Sequence, residues 1–131
     1  EDDLKIDELD DLSGKDIVAF QTARQFLGVN YSEAIEKAAG YQEVADQMRQ
    51  IKLLFNKRTQ VLVLDINILQ HFLFNHRDDI YKKPYKVHQL FRPRTYAAGF
   101  KSKAVRDQFN RGLAVIKANG KYQAVLDKYL L

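Results

Sequence analysis

The chain has 131 residues, 46% of them hydrophobic and 29% charged, which suits one domain of typical size and excludes a disordered or low-complexity chain. The net charge of +4 is modest and spread along the chain, so composition offers no concentrated nucleic-acid footprint. Cysteine is absent, which excludes disulfides and thiol chemistry, and no apolar run reaches membrane-spanning length.

Residues 1–11 are acidic and read as a lead-in that frays. Leu12-Ser13-Gly14-Lys15 forms a turn into Ile17-Val18-Ala19-Phe20, an apolar, β-branched run suited to a buried strand. Thr22 and Gln25 stand at capping-box spacing, and Gly28 occupies a helix stop, so strand, sharp turn and short helix follow in order. The turn Gln21-Thr22-Ala23 then presents backbone N–H groups at a positive helix end, a place for a carboxylate or for water. Asn30 or Ser32 caps a further helix through Ala39, stopped by Gly40. Gln42 to Asn56 reads as one amphipathic helix, with Val44, Met48, Ile51 and Phe55 on its apolar stripe.

Val61-Leu62-Val63-Leu64 is apolar at every position, as expected of a central strand covered on both faces. The order strand, helices, strand predicts a parallel α/β unit. Asp65 follows at the carboxyl end of this strand, either as the N-cap of a helix over 67–74 or as a ligand-facing carboxylate. Residues 75–85 are a polar loop carrying Tyr81-Lys82-Lys83-Pro84-Tyr85-Lys86, which reads as solvated. Val87 to Phe91 and Tyr96 to Phe100 are expected as short strands separated by Pro93. Ser102 caps a helix from Lys103 to Ala118 with Val105, Phe109, Leu113 and Ile116 on one face. Asn119-Gly120 ends it, and Lys121 to Leu131 forms a last helix.

Ligands of open α/β sheets sit beyond the carboxyl ends of the strands, where the Gln21-Thr22-Ala23 turn and Asp65 both fall. That pair matches a small zwitterion, its carboxylate on the amides and its ammonium on Asp65. No metal site is expected: His71 and His76 are off one helix face and His88 is isolated. The serines lie at turns without a nucleophile context, and no phosphate-binding glycine pattern occurs. No cofactor is expected.

Three blocks resemble the bacterial extracellular solute-binding proteins of family 3, the periplasmic amino-acid receptors of ABC transporters. They are the run from Leu12 to Ala23, the run VLVLDINIL from Val61 to Leu69, and Tyr96-Ala97-Ala98-Gly99-Phe100 followed by VRDQFNRGLAVIKANGKYQAVLDKYL. The resemblance implies a periplasmic-binding-protein type II lobe, a mostly parallel sheet with helices on both faces followed by a C-terminal helix pair. Residues 12–91 would be the second lobe, and residues 92–131 a hinge, a return strand and helices belonging to a largely missing first lobe, so that the chain is a fragment. It further implies a non-enzymatic, periplasmic role in capturing a small polar, amino-acid-like ligand. The expected ligand contacts are Gln21, Thr22, Ala23, Arg24 and Asp65, although the family's Ser/Gly-Thr turn is here Gln21-Thr22-Ala23-Arg24. The expected partners are an ABC permease and either the missing lobe or a second copy of the chain, with no nucleic acid. An extracytoplasmic sensor domain of a signalling receptor is the alternative use of the same fold.

Overall fold

The apolar run after Asp16 becomes strand β1 (Asp16–Phe20), whose Ile17, Val18 and Ala19 are buried. In the computed structural model, which describes residues 4–129, β1 is the middle of a three-stranded parallel sheet. β2 (Gly40–Val44) flanks it on one side, paired from Asp16↔Gly40 to Phe20↔Val44. β3 (Val61–Val63) flanks it on the other, paired from Ile17↔Val61 to Ala19↔Val63. The central place expected of 61–64 therefore belongs to β1, and β3 is an outer, half-buried strand.

Alternation along the strands divides the interior into two half-cores. Ile17, Ala19, Val61 and Val63 face a cluster with Leu12, Ala23, Tyr31 and Ile35, contributed by α1 (Ala23–Leu27), α2 (Val29–Ile35) and the turn before β1. Leu62 and Leu64 point the other way, into a cluster with Ile51, Phe55, Leu69 and Phe72 from α3 (Gln47–Phe55) and α4 (Ile66–Asn75). A period of two on the strands thus puts helices on both faces. The chain is an α/β protein with a parallel sheet and C-terminal helices.

Several local expectations give way to packing. The acidic lead-in is anchored rather than frayed over its described part: Ile6 is buried in the first cluster, and Asp11 Oδ2 accepts from the Asp7 and Glu8 amides at 2.8 and 3.1 Å. Residues 1–3 lie outside the described residues. Gly28, at φ +93°, both ends α1 and opens α2, so neither Asn30 nor Ser32 is the cap. Residues 42–56 are not one helix: the first part is β2, and α3 starts only after Asp46, whose side chain accepts from the Arg49 amide at 3.1 Å. Met48 is accordingly exposed, while Ile51 and Phe55 remain core residues.

Two side chains fasten the sheet. Gln50 is fully buried and donates from Nε2 to the Ala19 carbonyl at 3.1 Å and to the Val44 carbonyl, joining β1 and β2 at their carboxyl ends. Thr59 Oγ1 donates to the Asp16 carbonyl at 2.8 Å, tying the approach of β3 to the start of β1.

The chain divides into two compact units, residues 1–92 and 93–131. Val87 to Phe91 and Tyr96 to Phe100 have no regular secondary structure, so neither expected strand forms. In the second unit α5 (Lys103–Ala118) starts as expected at Ser102, whose Oγ accepts from the Val105 amide at 3.4 Å. α6 (Lys121–Tyr129) begins after Gly120, and the expected continuation to 130 and 131 lies outside the described residues. Phe100 and Phe109 pack ring to ring at 5.0 Å.

Candidate functional site

Because β1 and β3 are parallel and in register, the chain leaves both at the same edge of the sheet, carrying Thr22 and Asp65 to that edge. The turn after β1 is built on Thr22 at φ +66°, a left-handed conformation uncommon for a β-branched residue and costing about 1–2 kcal/mol. Thr22 makes no side-chain cap, so the expected capping box with Gln25 is absent.

What offsets that strain is a carboxylate. The Thr22 amide donates to Glu43 Oε2 at 2.7 Å, and the Arg24 amide donates to Glu43 Oε1 at 2.8 Å. Each oxygen takes one amide, the geometry expected of backbone donors grouped around an anion. The amides expected to be open at this turn are therefore already occupied, by the protein's own Glu43. Tyr41, two residues earlier on the same face of β2, donates its hydroxyl to Glu43 Oε1 at 2.9 Å.

Burial opposes the charge on Glu43, but the Arg24 amide, the Tyr41 hydroxyl and the Thr22 amide together outweigh it and hold the carboxyl below its ordinary range. Tyr41 is pushed strongly upward by burial, by the neighbouring Tyr31 hydroxyl and by the Glu43 charge. Tyr31 is fully buried and also raised, chiefly by burial, with its hydroxyl beside that of Tyr41. The site thus pairs an ionised acid with phenols that stay neutral.

Thr22, Arg24, Gln25, Tyr41 and Glu43 line an open groove of about 480 Å³. Of the residues expected to contact ligand, Thr22 and Arg24 lie in it. Gln21 is exposed on the turn outside the lining, and the Ala23 methyl is buried in the core beneath. The Arg24 guanidinium pairs with Glu36 and lies 5.5 Å from the Tyr41 ring centroid, a cation–π contact. Asp65 caps α4, accepting from the Asn67 amide at 2.8 Å, and does not line the groove.

Sequence reasoning does not reach Glu43 or Tyr41: the stripe of Val44, Met48, Ile51 and Phe55 predicts a helix over 42–56 that takes in Glu43, and Tyr41 falls between Gly40 and that helix. The order Tyr41-Gln42-Glu43-Val44 after Gly40 does not alternate, so it carries no period-two signal for a strand. Among the described residues no group of three or more His, Cys, Asp or Glu is placed to hold a metal ion, and no helix is long and apolar enough to cross a membrane.

Comparison with family models, curated proteins and solved structures finds no match. The class defined by the coordinates is an α/β protein with a parallel sheet, in which two backbone amides after β1 hold an internal carboxylate at the carboxyl edge.

Proposed function

We propose that this chain is a lobe of a non-enzymatic solute-binding protein, the ligand-capturing component of an ABC importer for amino acids or similar small polar solutes. In this reading it works outside the cytoplasm and passes its ligand to a permease. The observation that carries the reading is the pair of Thr22 and Arg24 amides converging on one carboxylate in an open groove at the strand ends.

The proposed mechanism is an exchange with the resting occupant, Glu43. A free amino acid brings a carboxylate that replaces Glu43 on the two amides, and an ammonium that the displaced Glu43 accepts. The exchange conserves charge-assisted hydrogen bonds, so by itself it gains little, and affinity comes from contacts made when a second surface closes over the groove. A lobe alone therefore binds weakly.

The test is amide-resolved NMR of the full chain titrated with a panel of amino acids. Saturable shifts of the Thr22 and Arg24 amides are expected, and in Glu43→Ala, which frees the amides but removes the ammonium's acceptor, the preference for an amino acid over a simple carboxylate such as acetate should fall. If those amides stay still with every amino acid in both proteins, the proposal fails.

A further inference from the structure

The solvent side of α3 carries a second site of opposite charge. Arg49, Lys52 and Asn56 recur at helical spacing along one stripe, with Leu53 between them. The helix then ends in a Schellman turn: the Lys57 amide donates to the Leu54 carbonyl at 2.9 Å and the Arg58 amide to the Leu53 carbonyl at 2.8 Å. This turn brings Arg58 back over the last helical turn. Arg49, Lys52, Leu53, Asn56 and Arg58 line an open groove of about 560 Å³, within the usual size of small-molecule sites.

Three observations set this groove apart from ordinary surface charge. Among the described residues, the side chains of Arg49, Lys52 and Arg58 form no ion pair or hydrogen bond, as is true of other surface cations such as Lys15 and Arg77, but these three line one groove together. The helix dipole favours cations at Lys52 and Arg58 but not at Arg49, which stands in the first turn of α3. The turn that returns Arg58 requires Lys57 at φ +57°, where a glycine is usual. Like charges thus stand on neighbouring turns, beside a cap held in the left-handed conformation.

We propose that this groove binds the phosphate of a small phosphorylated solute. Two guanidinium forks and an ammonium match the charge and planar geometry of a phosphate better than those of a single carboxylate, and Leu53 offers an apolar floor to the attached carbon skeleton. The site shares no residue with the Glu43 cradle, so it stands or falls independently of the solute-receptor reading.

The test is calorimetric titration of the full chain with inorganic pyrophosphate at low and moderate salt, with acetate and a short DNA duplex as comparison probes. Saturable one-to-one binding that weakens with salt is expected, with acetate weaker. Arg49→Gln/Arg58→Gln should lose about tenfold or more in affinity with its thermal melt unchanged. Arg58→Lys, which keeps the charge and loses the fork, should fall between, and it decides the matter if the double variant does not fold. The proposal is overturned by absent or unsaturable pyrophosphate binding, by equal binding in wild type and variants, or by a duplex that binds these residues more tightly than pyrophosphate.

Discussion

Replacing Glu43 by glutamine keeps the shape of the cradle and removes its charge. The wild-type carboxylate accepts from the Thr22 amide, the Arg24 amide and the Tyr41 hydroxyl at 2.7, 2.8 and 2.9 Å. The glutamine oxygen serves one amide, but its NH₂ group then faces the other amide, donor against donor. Hydrogen bonds to charged groups contribute about 1.5–3 kcal/mol each, discounted here because the site is open to water, so the expected cost is about 1–2 kcal/mol. For a unit the size of residues 1–92, which contains Glu43, each kcal/mol shifts Tm by about 4–8 °C. The sign with pH is fixed as well. The folded pKa of Glu43 is lowered, so its stabilisation is present above the unfolded-chain value and is lost as pH falls through the folded value. Thermal melts followed by circular dichroism should show Glu43→Gln less stable than wild type at neutral pH, the gap narrowing in acid. Equal stability at neutral pH, or a gap undiminished in strong acid, refutes the reasoning.

Further outcomes follow from other contacts. Lys57→Gly relieves the left-handed cap of α3 and should raise stability by up to about 1 kcal/mol in urea unfolding. Gln50→Leu leaves the Ala19 and Val44 carbonyls without their bridging donor and should cost about 1–3 kcal/mol in the same measurement. Asp65→Ala removes the cap of α4 and should cost about 1 kcal/mol, largely restored by Asp65→Ser. Tyr31 and Tyr41 are raised above the ordinary tyrosine value, so their contribution is complete below pH about 10 and is lost as pH climbs through the folded values. Spectrophotometric titration of the phenols should show a late-ionising fraction that shrinks in Tyr41→Phe.

The elements that were legible in the sequence are those whose pattern and packing agree. β1 is buried on both faces and reads as a strand; α4 and α5 have caps that the structure uses, at Asp65 and Ser102. β2 was hidden because Val44 happens to continue the stripe of Ile51 and Phe55, although Val44 belongs to the strand and Asp46 opens the helix. The run 61–64 looked central because all four residues are apolar, yet three strands leave room for one centre, and β1 holds it. At the site, the amide-bearing turn was readable from Thr22 and its neighbours. The carboxylate it holds was not, since Glu43 arrives through strand pairing, a non-local contact that no spacing encodes.

The sheet also acts as a bulkhead. Side chains of Ile17 and Ala19 on one side and of Leu62 on the other never share a void, so a hole opened by Ile17→Ala collapses, if at all, toward Tyr31 and Ile35, while one opened by Phe72→Ala is sealed among Ile51, Phe55 and Leu69. Damage to the two compartments should therefore sum, the double variant losing what the two single variants lose together.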